Sequence, residues 1–236
     1  MKLEIGYNHE FEIRQEFYPS TKQEDFSVLY ISDLHLNGYS QNITIRLIEK
    51  IDQLNPTIIL LGGDYIDTKK GMMSFLHLLK YISLRKNVFA VAGNHDYYFG
   101  IHIIKDLMIK NNVIWIEKET TTIFLNNYKI EIIGNKQYKE KSSADFSILC
   151  LHKPIDINPF NNSYNLVFAG HLHGSQFVFL QTLKGLYPGR LFYKWNILKT
   201  KINDCYYLIS KGLGDTLPIR YNCKKDIIFV EIANNS

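Results

Sequence analysis

Short apolar runs bounded by turn residues alternate with amphipathic stretches along the first half of the chain. Residues 28–31, 57–61 and 88–91 read as buried strands. Between them, 43–54 and 72–84 carry apolar residues at helical spacing, as with Leu47, Ile48, Ile51 and Leu54, and Asn55-Pro56 stops the first of these helices. A third helix is expected over Ile101–Lys110, closed by Asn111-Asn112. Strand–helix–strand units of this length imply parallel strands joined by right-handed crossovers.

The second half is strand-rich. Residues 113–116, 121–125 and 128–133 read as successive strands, the last two joined by an Asn126-Asn127 turn, and 146–151, 166–169, 177–180, 206–210 and 227–231 continue the pattern. An α/β half followed by a strand-rich half suggests two stacked sheets with helices outside. No repeat, low-complexity block or linker divides the chain, so 1–236 reads as a single domain with a strand-rich N-terminal extension over 1–25.

Composition narrows the function classes. With 236 residues, 46% hydrophobic and 21% charged, the chain is long enough for a buried core and is neither disordered nor fibrous. No apolar run approaches the roughly 20 residues a spanning helix needs. Residues 1–16 alternate charged and apolar side chains without a signal-peptide core, so the expected location is cytoplasmic or peripheral on the inner membrane face. Cys150, Cys205 and Cys223 are widely spaced and form no CxxC pair, which argues against a disulfide scaffold or a structural zinc knuckle. A net charge of +4 is weak for nucleic-acid binding. Walker, Rossmann and GxSxG motifs are absent, which removes nucleotide motors, dehydrogenases and serine hydrolases.

The residues able to bind a metal stand just past the carboxyl ends of the expected strands. Strand 28–31 runs into Ser32-Asp33-Leu34-His35, 57–61 into Gly62-Gly63-Asp64-Tyr65-Ile66-Asp67, and 88–91 into Gly93-Asn94-His95-Asp96. These clusters are one βαβ unit apart, so parallel neighbours bring Asp33, Asp64 and Asn94 to one sheet edge, where α/β ligand sites form. Strand 146–151 delivers His152, and 166–169 delivers Gly170-His171-Leu172-His173-Gly174. Carboxylate, amide and imidazole donors without thiolate suit a hydrolytic ion such as manganese, iron or zinc. Seven such residues are too many for one tetrahedral ion and suit two ions sharing a carboxylate.

In order, Asp33-Leu34-His35, Gly63-Asp64-Tyr65-Ile66-Asp67, Gly93-Asn94-His95-Asp96, His152 and Gly170-His171-Leu172-His173 resemble the signature of the calcineurin-like metallophosphoesterases. Gly212-Leu213-Gly214, with Leu217-Pro218-Ile219-Arg220-Tyr221-Asn222-Cys223, is similar to the C-terminal signature of a bacterial branch of envelope-associated phosphodiesterases, UDP-2,3-diacylglucosamine pyrophosphatases among them. The resemblance implies a four-layer αββα sandwich of two stacked mixed sheets. It also implies two divalent ions, manganese first with iron, zinc or magnesium as alternatives. Asp33, His35 and His173 would hold one ion and Asn94, His152 and His171 the other, with Asp64 bridging. His95 would face the leaving group with Asp67 orienting its ring. The implied reaction is in-line attack of a metal-bridging hydroxide on a small phosphodiester or pyrophosphate, nucleotide sugars included. Arg220 would contact a substrate phosphate. A non-catalytic scaffold on the same fold is the alternative from a different class, and scaffolds of that kind have generally lost ligands.

The departures bear on substrate. Related protein phosphatases place Arg after the second Asp and Glu after Asn-His, where this chain has Thr68 and Asp96, which weakens a phosphoprotein reading. Between Gly174 and Asn203 there is no Asp or Glu, and Lys184, Arg190, Lys194, Lys199 and Lys201 stand among many aromatic and aliphatic residues. Gly185, Pro188 and Gly189 point to loops there rather than to one amphipathic helix. The segment therefore reads as sheet core with a solvated basic edge. Peripheral contact of 177–201 with an anionic membrane is the alternative.

Overall fold

In the strands nearest the predicted ligands, alternate residues face opposite ways, and both faces are apolar. That is the signature of a sheet covered on each side. A computed structural model of the chain describes residues 2–7, 10–20, 24–136, 143–158 and 163–234. Its strands are β1 (Leu3–Ile5), β2 (Phe11–Ser20), β3 (Phe26–Ile31), β4 (Ile58–Leu61), β5 (Val88–Ala90), β6 (Ile114–Trp115), β7 (Thr120–Leu125) and β8 (Tyr128–Gly134). They continue with β9 (Phe146–Cys150), β10 (Leu166–Ala169), β11 (Val178–Thr182), β12 (Gly185–Pro188), β13 (Lys199–Ile202), β14 (Cys205–Ile209), β15 (Ile219–Tyr221) and β16 (Lys225–Asn234). The helices are α1 (Gln41–Leu54), α2 (Met72–Ile82), α3 (Asn94–Phe99), α4 (Ile101–Lys110) and the single turn α5 (Gly189–Phe192).

Two six-stranded mixed sheets stack face to face, ordered β2-β16-β3-β4-β5-β6 and β13-β14-β10-β9-β8-β7. Within the first, β3, β4, β5 and β6 run parallel, and within the second so do β8, β9, β10 and β14. Val28, Tyr30, Ile58, Leu60 and Phe89 face Ile130, Ile132, Phe146, Ile148 and Phe168 in the layer between the sheets. The Tyr30 ring stacks on Phe168 at 5.2 Å, and its hydroxyl donates to the Leu151 carbonyl at 2.7 Å, tying one sheet to the other. The intervening residues Leu29, Ile31, Ile59 and Leu61 turn the other way, onto the apolar faces of α1, α2 and α4.

The helices have local causes. On α1, Ile43, Thr44, Leu47 and Ile51 form the buried stripe. The helix begins two residues before the first apolar position, where the Ser40 carbonyl accepts from the Thr44 amide and hydroxyl. It ends at Asn55, whose left-handed conformation lets its N–H reach the Ile51 carbonyl, and Pro56 follows. Helix α2 stops at Ile82, short of the expected Leu84, which is exposed.

Two findings depart from the sequence pattern, and another gives the expected strand-rich N-terminal extension its form. The outer face of the second sheet carries Ile133, Leu149, Val167, Tyr207 and Ile209. Irregular chain covers it through Ile155, Ile157, Trp195 and Ile197, and among the described residues no long helix does. The charged and apolar alternation near the N-terminus is a ten-residue strand, β2, parallel to β16 from Phe11↔Lys225 to Ser20↔Asn234. Its one neighbour is β16, so it is an edge strand and tolerates Pro19. Third, most apolar side chains of 177–201 do not fill the sheet core, Trp195 and Ile197 excepted. Strands β11 and β12 form a separate antiparallel hairpin, and Phe179, Leu180, Leu183, Leu191, Phe192 and Tyr193 are exposed. Within the hairpin Val178 and Leu186 turn inward, against Cys223. Among the described residues no helix is long and apolar enough to cross a membrane.

Candidate metal centre

Parallel strands in each sheet point their carboxyl ends to a common rim, where the seven expected metal ligands stand together with Asp67 and His95. Asp33 and His35 follow β3, Asp64 and Asp67 follow β4, and Asn94 and His95 open α3 after β5. On the facing sheet His152 follows β9, and His171 and His173 follow β10. The ligand atoms fall into three overlapping groups, each within 4.8 Å: Asp33, His35 and His173; His35, Asp64 and His95; Asp64, His152 and His171. Asn94 joins the last through its Oδ1, 2.9 Å from His152 Nε2.

The backbone is bent to do this. Asp33, His35, Asp64, His171 and His173 all have positive φ, between 43° and 71°. Such conformations cost an L-residue about 1–2 kcal/mol and persist only where surroundings fix them. Here they are fixed. The Asp33 amide donates to the Gly63 carbonyl and the His35 amide to that of Asp64, both at 3.0 Å. The His171 amide donates to the Asp33 carboxylate, also at 3.0 Å. Gly93 makes the crowding possible, since a Cβ there would strike the Asp64 carboxylate and amide. Gly212, at φ 71°, passes against the Asp33 side chain in the same way.

Hydrogen bonds on the outer side of the His152 and His35 rings decide which nitrogen faces inward. His152 Nδ1 lies 2.9 Å from the Gly62 carbonyl, which only accepts, so Nδ1 carries the proton and Nε2 a lone pair. That Nε2 then faces Asn94 Oδ1 at 2.9 Å, His171 Nδ1 at 3.1 Å and Asp64 Oδ2 at 3.3 Å. Several lone pairs converge on one point with too few protons to pair them. His35 Nδ1 contacts Asp67 Oδ1 at 2.7 Å, leaving Nε2 buried, without a hydrogen-bond partner and 3.6 Å from Asp64 Oδ2. His173 Nδ1 is likewise buried and unpartnered. Nitrogen and oxygen donors gathered this way fit divalent cations of the zinc and manganese kind.

Electrostatics agree with that fit. Burial pushes His173 down to about 3, the nearby Asp33 only partly opposing it, so the ring stays neutral and able to ligate. Burial and the neighbouring His152 lower His171 too. Burial raises Asp33, but the neighbouring His173, His152 and His35 rings and the Ser32 hydroxyl more than offset it, holding the carboxyl below its usual range. His35 goes the other way. Burial lowers it, and the hydrogen bond and charge of Asp67 outweigh that.

Two expectations are revised. Asp67 reaches His95 Nδ1 at 3.2 Å, but its closer partner is His35, so one carboxylate oxygen orients both rings. Arg220 does not face the site mouth. It is fully buried, its Nε paired with Asp215 and its other nitrogens donating to the Lys211, Gly214 and Cys223 carbonyls. Every guanidinium nitrogen is engaged by protein, so Arg220 ties the β15 loop to the fold and contacts no substrate phosphate.

Other residues at the rim escaped the sequence reading as functional. Asp96 accepts the Gly93, Asp64 and Tyr65 amides and so sets the loops bearing Asp64 and Asn94. Burial, only partly offset by those bonds, raises it to about 7. Asn135 follows β8 and takes the His152 amide on its Oδ1, while its Nδ2 donates to the Ala92 carbonyl and to Glu117. Their one signal was position, past a strand's carboxyl end. Beside His95 a cavity of about 460 Å³ is lined by Ile66, Met72, Phe99 and Ile103, with Tyr98 at its side.

Comparison with known proteins gives a consistent result. The model of the calcineurin-like phosphoesterase family matches residues 26–175. The uncharacterized metallophosphoesterase YkoQ of Bacillus subtilis is 25% identical over 231 residues, covering 89% of this chain and 84% of its own. The phosphodiesterase YaeI of Escherichia coli is 24% identical over 231 residues, covering 88% and 82%. Among solved structures, the NAD nucleotidase of Haemophilus influenzae superposes with a TM-score of 0.51 at 14% identity, covering 81% of this chain and 46% of that one. The chain spans about half the length of the solved structures heading that comparison, and the likeness to them is one of fold.

Proposed function

Because the chain belongs to the calcineurin-like phosphoesterase family and is thus a metal-dependent phosphoesterase, we propose that it cleaves phosphodiester bonds with two divalent ions, manganese first among them. The observation that carries this reading is the place of Asp64. Its Oδ2 stands 3.6 Å from His35 Nε2 and 3.3 Å from His152 Nε2, between the two sets of donors. Asp33, His35 and His173 would hold one ion and Asn94, His152 and His171 the other, with Asp64 placed to serve both. When bound, the ions lower the pKa of a water and offset charge on the phosphoryl oxygens.

The chain's own residues do the rest. Gly62 and Asp67 hold the Nδ1 side of His152 and His35, so that in each neutral ring the lone pair that ligation requires is on the inward nitrogen. His95 is half-exposed at the mouth with Nδ1 toward Asp67, so Nε2 is the atom that gives a proton to the leaving oxygen. The name of the Escherichia coli relative supports a diester over a monoester.

A second reading, pyrophosphate cleavage in UDP-2,3-diacylglucosamine at a membrane face, is favoured by the apolar cavity beside His95, which suits a leaving group with aliphatic parts. Purified protein loaded with manganese, assayed against nitrophenyl mono- and diesters, cyclic nucleotides and nucleotide-sugar pyrophosphates, decides between them. Diester turnover that a chelator abolishes and manganese restores supports the main reading. Turnover unaffected by chelation overturns it.

A further inference from the structure

We propose that the β11–β12 hairpin and the α5 turn form a docking surface for an anionic lipid bilayer. Six large apolar side chains crowd this short stretch with most of their surface in water: Phe179 (68% exposed), Leu180 (58%), Leu183 (101%), Leu191 (74%), Phe192 (78%) and Tyr193 (58%). Leu183 stands at the hairpin tip with nothing of the protein over it. Single exposed leucines are ordinary, but a contiguous apolar patch rimmed by polar groups marks a contact surface.

Charge selects the occupant. From Gly174 to Asn203 there is no carboxylate in the sequence. Lys194 and Lys199 reach out of the segment to Asp156 at 2.6 Å and Glu16 at 2.7 Å. Lys184, beside Leu183 at the tip, and Arg190, beside Leu191, have no carboxylate in ion-pair distance among the described residues. Apolar side chains flanked by cations without a carboxylate partner, Arg190 Nε meeting only the Lys184 carbonyl at 2.8 Å, match the two layers of an anionic membrane surface. Rings and leucines enter the acyl boundary while lysine and arginine heads stay among lipid phosphates.

The surface is stiff and set beside the catalytic rim. Asn196 Nδ2 donates to Ser175 Oγ at 2.8 Å and to the Leu186 carbonyl at 3.2 Å, pinning the hairpin base to the turn that follows His173. Phe179 packs on Tyr221 at 5.4 Å, and Tyr221 pairs with Leu3 in the β1–β15 ladder, where Leu3 and Ile5 add exposed apolar surface. The exposed side chains contribute little to the fold, so they can be changed without unfolding it. The docking stands whether or not the site acts on lipids.

Flotation of the full chain with vesicles tests this. The wild type floats with phosphatidylglycerol-containing vesicles and about tenfold less with phosphatidylcholine alone. Leu183→Glu combined with Phe192→Glu leaves the protein in the soluble fraction. Lys184→Glu combined with Arg190→Glu removes the preference for phosphatidylglycerol. All keep the wild-type unfolding midpoint and hydrolysis of a soluble nitrophenyl diester, and chelator-treated wild type still floats, which separates docking from catalysis. Should an apolar pair of glutamates unfold the chain, Leu183→Gln alone serves, with a severalfold loss of flotation expected. Wild type that stays soluble with both vesicles, or variants that float as well as it does, overturns the proposal. So does a glutamate variant that turns a dimer into a monomer on size exclusion while the wild type ignores vesicles, since the patch is then an interface between copies.

Discussion

Asp67 Oδ1 and His35 Nδ1 lie 2.7 Å apart, and this contact turns the His35 ring so that its other nitrogen is buried and aimed at Asp64. The same oxygen reaches His95 at 3.2 Å. Opposing charges keep the Asp67 carboxyl below its usual range despite partial burial, so it is ionised wherever the enzyme works. One carboxylate thus serves both an inner ring and an outer one.

Asp67→Asn keeps the shape and removes the charge. Loss of an outer partner of this kind typically costs 10–100-fold in metal affinity, and the expected outcome is a drop in that range with a fall in kcat. Manganese titration followed by metal analysis measures the first, and diester turnover at saturating metal the second. Unchanged affinity would mean the His35 contact is incidental.

His95→Ala separates chemistry from metal binding. His95 is half-exposed at the rim and its amide, not its side chain, holds the Asp64 carboxylate, at 2.7 Å. Metal content should stay at the wild-type level while kcat falls about 10²–10⁴-fold. The loss should shrink for substrates whose leaving group is a good nitrophenolate needing no proton. Asp64→Ala, in contrast, should lose metal itself.

In metal-free protein, His173 makes stability depend on pH. Burial places it at about 3 in the fold against an ordinary value near 6.5. Between those values the unfolded chain takes up a proton and the folded one does not, so the stability His173 contributes is complete above about pH 6.5 and declines as pH falls, by up to ~1.4 kcal/mol per pH unit. His35 is shifted upward and has the opposite sense, its contribution fading as pH rises past its folded value. Urea unfolding with chelator from pH 7 to 4 should show the decline, and His173→Gln should flatten it.

Gly93→Ala should be as harmful as loss of a ligand. An added methyl would overlap the Asp64 carboxylate and amide, so the two loops must part. The expected results are metal content well below the wild type and destabilisation of about 1–3 kcal/mol, the range for overpacking, read by metal analysis and urea unfolding.

Arg220→Met tests its revised role. Breaking a buried, fully paired arginine should cost about 3–5 kcal/mol by taking a cation from Asp215, which keeps Lys225 Nζ at 2.8 Å, and by leaving several carbonyls without their donor. KM for a soluble diester should not change in the fraction that remains folded. A raised KM with unchanged stability would restore the substrate contact.

What the sequence disclosed depended on periodicity and on order. Strands such as β4 and β10 are short runs of buried apolar residues with a ligand motif just beyond, so both strand and motif were legible before any coordinates. Strand β2 was legible only as part of a strand-rich N-terminal stretch, since an edge strand need not be apolar and its Phe11–Ser20 alternation leaves its bounds and its partner open. Arg220 misled because a motif position says nothing about burial. The exposed hairpin misled for the opposite reason, since aromatic and leucine residues in sequence look like core wherever they end up. Asn135 and Asp96 act through backbone amides of residues far along the chain, which no local pattern reveals.

The Asn126-Asn127 turn divides the donors cleanly, with Asp33, His35, Asp64 and Asn94 before it and His152, His171 and His173 after. A chain cut there yields two silent pieces, neither with a full ion-binding set, and hydrolysis returns only once they reassociate. Turnover recovered on mixing the two pieces would then read out one half finding the other.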